Sequence, residues 1–472
     1  MYGELMPDAR AATIGELRRT EYRVLPVRAE LRRNLMRRLS GGDSLFTGIL
    51  GYDDSVVPQL ENAILAGQDL ILLGERGQAK SRLLRGLTDL LDDAIPAIAG
   101  CEINDDPYAP ICRRCRDLVA ASGDDTAVSW LTPEMRYSEK LATPDTSIAD
   151  LIGEVDPIRV AEGRYLSDEL TIHYGLIPRT NRGIFAVNEL PDLAERIQVG
   201  LLNIIEERDV QIRGYRLRLP LDVFVVATAN PEDYTNRGRI ITPLKDRFGA
   251  QIRTHYPRSV EHEIAIVDQE ATTFDDIPVP VHVPHYMKEI VAEFTQLARR
   301  HPQVNQRSGV SVRMSIANQE NLASNALRRA LRTGEKEAVA RISDLPALAA
   351  SSAGKVELET LDDGDDSRVL DKMLHAACNN VFRRHFTAAE FTELLQRFDH
   401  GGFTVEVGDS LSATAYAAAL SELPGVDAAT EKLGESSSAS SRAAVLEFIL
   451  EGLHRGKRLN KTEMDGTAVY GG

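Results

Sequence analysis

At 472 residues the chain exceeds what one ordinary hydrophobic core fills, so two or three domains are expected. Its 71 acidic side chains against 55 basic ones give a formal charge of −16, which argues against a broad phosphate-binding surface for DNA or RNA. No apolar stretch reaches the roughly 20 residues that span a bilayer, the N-terminus lacks a signal-peptide pattern, and four cysteines in so long a chain make no disulfide framework, so a cytoplasmic, reducing location is expected.

Residues 1–45 are rich in arginine and helix formers, and Thr13 with Glu16 has the spacing of a capping box, which predicts a helical arm. Its arginines (Arg18, Arg19, Arg28, Arg32, Arg33, Arg37, Arg38) suit either a solvated face or a grip on an acidic neighbour. From Phe46 to about Pro257, short apolar runs alternate with helical segments, the pattern of a sheet flanked by helices. Candidate strands are Asp69–Leu73, Ala97–Ile103, Gly183–Val187, Val223–Ala229 and Gly249–His255; the continuous runs at 183 and 223 read as strands buried on both faces of a parallel sheet. Helical periodicity over Arg258–Ala271, His285–Arg300 and Met314–Arg332 predicts a helical lid over 258–345. Residues 346–472 form a third, mostly helical region, with helices at Arg368–Phe386 and Ala443–His454, a flexible serine-rich linker at Ser436–Ser441 and disorder from Lys457.

The chemistry concentrates in three places. LILLGERGQAKSRLLRGL sets a strand before Gly74, Glu75, Arg76, Gly77, Gln78, Ala79, Lys80 and Ser81 and a helix after them. Glycines there let backbone N–H groups converge on phosphate oxygens, Lys80 reaches the terminal phosphates of ATP, and the Ser81 hydroxyl can ligate Mg²⁺. Where the strict pattern has glycine before the lysine, Ala79 stands, tolerable if its φ is negative. The apolar strand at 183 ends in Asn188 and Glu189. The first is placed to hold Mg²⁺ through water, without the charge of the usual aspartate, and the second to polarise the attacking water, although it also fits a structural role. VFVVATAN ends in Asn230, either a turn former or a side chain that senses the γ-phosphate.

FTGILGYDD, GERGQAKS, the NEL strand, ATANPED and LKDRFG, in this order and spacing over residues 46–340, resemble AAA+ ATPases of the magnesium-chelatase motor-subunit and MoxR group. The resemblance implies an α/β P-loop core with a parallel sheet flanked by helices, a helical lid, ATP and Mg²⁺ as cofactors, and assembly into a ring, a hexamer, of copies of the chain. It also implies that Arg247 is an arginine finger acting on a neighbouring protomer, against which stands a local ion pair with Asp246. Arg313 matches the lid arginine that contacts the γ-phosphate, and the backbone at Leu50 and Gly51 the segment that packs on adenine. DLIGEVDPIRVAEGRYLSDELTIHYGLIPRTNRG and QIRGYRLRLP resemble two inserted elements of that group, making Arg164, Tyr165, Arg213, Tyr215 and Arg216 contact candidates, or plain exposed decoration. The activity implied is ATP-driven remodelling of a partner protein, either as motor subunit of a metal chelatase or as a MoxR-type chaperone. A von Willebrand factor A domain on a separate chain is the implied partner, since no Asp-x-Ser-x-Ser motif occurs here. A non-hydrolysing, nucleotide-gated scaffold is one rival, motivated by Ala79 and Asn188; a DNA-acting AAA+ protein is a second.

Cys101, Cys112 and Cys115 form a CxxC with one upstream thiol. Three thiolates with a fourth ligand, His173 or Asp105, would hold zinc, whereas a redox pair or ordinary packing needs no fourth group. Cys378 reads as helix packing.

Overall fold

The computed structural model describes residues 10–156, 169–206, 209–210, 219–230, 238–305, 308–358, 366–464 and 467–472. Two compact units divide the chain: residues up to Glu75 together with Ala79–His255, and Arg76–Gln78 together with Tyr256–Gly472. Among the described residues no helix is long and apolar enough to cross a membrane.

The first unit is built on strands β1 (Leu70–Leu73), β2 (Ile95–Ile98), β3 (Val128–Leu131), β4 (Tyr137–Leu141), β5 (Gly153–Val155), β6 (Ile172–Tyr174), β7 (Gly183–Asn188), β8 (Asp209–Val210), β9 (Leu219–Pro220), β10 (Val223–Ala229) and β11 (Ala250–Arg253). Five of them form one sheet in the order β11-β1-β10-β7-β4, every pair parallel. Side chains alternate between its faces, as the two-residue period of a strand requires. Ile71, Phe185, Val187, Val225 and Ala227 enter one core, closed over by Cys115, Ile197 and Leu201. Leu70, Leu72, Ile184, Phe224 and Val226 enter the other, beneath helices α2 (Val27–Gly41), α3 (Val56–Ala66) and α4 (Lys80–Gly86), which follow α1 (Ile14–Arg19) in the chain order of elements. Burial on both faces explains why β7 and β10 read as uninterrupted apolar runs.

One strand expectation needs correction. The segment from Ala97 does not join the sheet: β2 stops at Ile98, before a left-handed Gly100 (φ 67°), and pairs antiparallel with β3. The fifth parallel strand is instead β4, whose sequence YSEKL shows no apolar run because it lies at the sheet edge, only part-buried.

The arm is folded onto the sheet rather than free. Thr13 caps α1, accepting from the Glu16 N–H (3.2 Å), while the Glu16 carboxylate accepts from Ala12 N–H (2.7 Å). Val27, Leu31 and Leu35 of α2 are buried, and Arg28 donates to Asp69 (2.6 Å) and to the carbonyl of Gly67. Glu30 meets Arg136 in a bidentate pair (2.6 and 2.7 Å) with side chains 3% and 0% exposed.

The second unit holds the helices His285–Arg300, Val312–Thr333, Asp366–His385 and Ala439–Arg455 around one apolar core that runs from Tyr286 to Tyr470. It also carries a two-stranded parallel pair, β12 (Val281–His282) with β13 (Ala338–Val339). The serine-rich run is no linker: Ser438 caps the helix Ala439–Arg455, accepting from Ser441 N–H (3.1 Å), and Ser440 and Ser441 are buried. Nor is the end of the chain irregular. Strands β14 (Val405–Gly408), β15 (Asn460–Met464) and β16 (Thr467–Gly471) make an antiparallel sheet in the order β14-β16-β15. Both misreadings have one cause, since serine and short polar strands take their structure from caps and tertiary pairing rather than from local pattern.

Candidate functional site

In an open parallel sheet, ligands gather at the carboxyl ends of the strands. The loop Gly74–Ser81 leaves the end of β1, Asn188 ends β7 with Glu189 directly after it, and Asn230 follows β10. Register brings them together: Leu73 pairs with Ala229, Ala227 with Val187, and Gly74 N–H donates to Ala229 carbonyl at 3.1 Å.

Gly77 (φ 75°) and Ala79 (φ 55°) are both left-handed, with Gln78 between them at ordinary hand. Such alternation turns successive N–H groups toward one concavity, a nest suited to an anion. The condition set for alanine at position 79, a negative φ, is therefore not met: its methyl group sits where L-residues are disfavoured by about 1–2 kcal/mol. Ala79→Gly is expected to stabilise the protein by about 1 kcal/mol, once the greater freedom of unfolded glycine is deducted. The measurement is a urea unfolding midpoint at unchanged slope, and a midpoint that does not rise would show that no strain is held there.

Lys80 is buried and donates to the carbonyls of Gly74 (2.5 Å) and Glu75 (2.8 Å) and to Asn230 Oδ1 (2.6 Å), all neutral oxygens. Asn230 in turn donates from Nδ2 to the Glu189 carboxylate (2.6 Å). Glu189 is left-handed (φ 56°), and its N–H donates to Thr228 Oγ1 (3.0 Å). A single polar chain thus connects the lysine, the amide and the carboxylate. Ser81 Oγ lies 3.4 Å from Asn188 Oδ1, which also accepts from Thr228 Oγ1 at 3.2 Å. These neutral oxygens suit a cation that keeps its water, as Mg²⁺ does.

One participant was not anticipated. Glu139 on β4 accepts from Asn188 Nδ2 and forms a two-point pair with Arg85 of α4 (2.8 and 3.0 Å). Burial would raise its carboxyl, but the Arg85 hydrogen bonds and charge outweigh that and hold it below the usual carboxylate range. The negative charge missing at position 188 therefore stands next to it, on the neighbouring strand. No linear motif marks Glu139; only the pairing of Leu141 with Asn188 brings β4 to this place.

Among the other candidates, Leu50 and Gly51 (φ 80°) are part-buried beside Tyr52, whose hydroxyl donates to His255 carbonyl (2.8 Å) and whose burial pushes its acidity to about 12. Arg247 ends the helix Thr242–Arg247, exposed, paired with Glu206 (2.9 Å) and Asp246 (3.2 Å). Arg313 belongs to the second unit, exposed in the first turn of Val312–Thr333, its N–H donating to the capping Ser311 Oγ. Arg164, Tyr165, Arg213, Tyr215 and Arg216 lie outside the described residues, although the bases of both inserts are antiparallel strand pairs, β5 with β6 and β8 with β9. The Sγ atoms of Cys101, Cys112 and Cys115 and a carboxylate oxygen of Asp105 lie within 4.8 Å of one another. His173 is exposed on β6 and faces Arg179 instead.

The chain is 27% identical over 267 residues to magnesium-chelatase subunit ChlI of Nostoc sp., covering 54% of this chain and 64% of that one. It is 28% identical over 251 residues to ChlI of Synechocystis sp., covering 50% and 63%. About half of the chain is thus similar to ChlI subunits. To chloroplastic ChlI-2 of Arabidopsis thaliana this ChlI-like chain is 28% identical over 240 residues, covering 49% and 53%. It spans less than two thirds of the length of these relatives. No protein-family model matches it. A cryo-electron-microscopy-based structure of the complex between BchI and BchD of magnesium chelatase is 20% identical, with a TM-score of 0.35, covering 69% of this chain and 98% of that one.

Proposed function

We propose that this ChlI-like protein binds ATP with Mg²⁺ at Gly74–Ser81 and hydrolyses it to remodel a partner protein. The observation that carries the reading is the continuous contact Lys80–Asn230–Glu189, which joins the residue suited to phosphate with the residue suited to activate water. In this reading the nest and Lys80 hold the phosphates, and Ser81 and Asn188 hold water-bound Mg²⁺ with Glu139 adding charge. Glu189 draws the proton from the attacking water, oriented by Asn230. Leu50 and Gly51 border adenine. The relatives are named as subunits of magnesium chelatase, and this supports a protomer that works with other chains: copies of itself in a ring, a hexamer, and a separate partner with a von Willebrand factor A domain. The client is either a metal-inserting enzyme or, in a MoxR-type role, another enzyme complex under assembly.

Within the ring, Arg247 serves the neighbouring protomer's site and Arg313 the site of its own chain. Reaching across requires Arg247 to leave Glu206, an exchange available to an exposed pair worth little in water. Mixing inactive Arg247→Ala and Lys80→Ala subunits is expected to raise Mg²⁺-dependent ATP turnover about tenfold above either variant alone, because mixed rings contain intact composite sites. Mixed rings that form, by native mass spectrometry, yet stay inactive would place Arg247 outside catalysis.

The neutral Asn188 and the strained Ala79 favour a second reading, a nucleotide-gated scaffold. Tight ATP binding without phosphate release by the wild-type ring and its partner would select it.

A further inference from the structure

We propose that Cys101, Cys112, Cys115 and Asp105 bind one structural zinc ion, a site independent of the nucleotide reading. The four ligand atoms come from two short pieces of chain, the loop after β2 and the start of the helix Arg113–Ser122, and lie within 4.8 Å of one another. Four ligands about 2.0–2.3 Å from a common tetrahedral centre stand at separations of this order. Three of the residues are buried and Cys101 is half-buried.

The decisive atom is Asp105 Oδ1. Asp105 is 0% exposed, its Oδ2 accepts from Cys112 N–H (3.0 Å), and its Oδ1 is buried without any hydrogen-bond partner. A buried carboxylate oxygen without a partner is costly, and metal coordination is one of the few ways to satisfy it. The sulfurs are prepared in the same sense. Asp105 N–H donates to Cys101 Sγ (3.3 Å) and Cys115 N–H to Cys112 Sγ (3.4 Å), contacts that fix both sulfurs in place within the cluster. A cation among these four groups would be met by three sulfurs and a carboxylate oxygen at once. A disulfide would consume two sulfurs and leave Asp105 unsatisfied, whereas one cation answers all four groups.

Soft thiolates select zinc over Mg²⁺ or Ca²⁺. An iron–sulfur cluster needs its ligands spread around several atoms and is held by cysteines alone in its common forms, so the compact set with one carboxylate fits a single ion. Four protein ligands leave no open coordination position, which makes the site structural. Its task follows from what the loop supports: Ile103 carbonyl accepts from Asn181 Nδ2 (3.0 Å), and Asn181 Oδ1 accepts from Asp222 N–H (2.8 Å), so the loop props the chain entering both β7 and β10. The ion fixes that support beneath the two strands that carry Asn188, Glu189 and Asn230.

Elemental mass spectrometry on full-length protein, expressed with added zinc and purified without chelator, is expected to find about one zinc per chain. Cys378→Ser, at a buried thiol outside the cluster, keeps that zinc. Asp105→His, which exchanges one common zinc ligand for another, keeps it too, whereas Asp105→Ala and Cys112→Ser lower zinc affinity about tenfold or more. Because Cys112→Ser can fail to fold, the wild type also decides the matter: its three clustered thiols should resist a thiol reagent until a strong chelator removes zinc, then react in step with the zinc released. Wild-type protein without zinc, iron with visible absorption in its place, or full zinc retention by folded Cys112→Ser each overturns the proposal.

Discussion

Glu189→Gln is expected to lower ATP turnover by about three orders of magnitude while ATP binding survives, the size of effect that loss of a positioned general base produces. Glutamine keeps the volume and can still meet Asn230, but it takes no proton from water. The left-handed backbone at 189 and the Thr228 contact to its N–H are untouched by the change, so the fold around the site should hold. Phosphate release at saturating Mg²⁺ and ATP, paired with binding of a fluorescent ATP analogue, separates the two steps. Turnover within about threefold of wild type would remove Glu189 from the role, since even a modest general base contributes more than that.

The second large effect is on stability and comes from the arm. Glu30→Ala leaves the Arg136 guanidinium buried opposite an empty space, with Arg182 carbonyl its remaining hydrogen-bond acceptor among the described contacts. Breaking such a buried pair from one side costs about 3–5 kcal/mol. Removing both partners with apolar residues of similar volume, Glu30→Met with Arg136→Met, should return most of it, because the cost lies in the stranded charge. Arg33→Ala, which opens the exposed pair with Asp92, should cost less than about 1 kcal/mol. Denaturant unfolding of the three variants reads these differences, and a single-variant loss below about 1 kcal/mol would mean that water reaches Arg136. Substitution at Gly183 is a poor alternative probe, since a Cβ there would meet Arg136 carbonyl at 2.0 Å.

These two residues show what a sequence discloses and what it withholds. Glu189 was legible because its neighbours in the chain are strand residues of unbroken apolarity, and because the loop, the strand end and Asn230 succeed one another in a fixed order. Parallel pairing makes that order spatial. Glu30 and Arg136 are 106 positions apart and belong to no pattern; as sequence, Glu30 is one charge in an arginine-rich helix. Glu139 was hidden for a related reason, an acid on an edge strand whose alternation carried no apolar signal. Ala79 was seen as a departure, but its left-handed backbone depends on how the whole loop closes. The cysteines were visible as a set of three with His173 or Asp105 as candidate fourth, and only the folding of the loop after β2 against the helix that follows brings Asp105 among them and leaves His173 at Arg179.

The sheet of the second unit has a bearing on how the protein is made. Its middle strand, β16, is the last of the three to leave the ribosome, and β14 and β15 have no hydrogen bonds to each other without it. Tyr470, carried by that strand, is buried and meets the buried Glu451 of the preceding helix. While residues 467–471 are still in the exit tunnel, β14 waits as an unpaired edge and Glu451 lacks that contact. The first unit can complete its parallel sheet as soon as β11 emerges, some two hundred residues earlier. Synthesis thus imposes an order on assembly in which the parallel sheet of the first unit can mature before the sheet of the second unit can close.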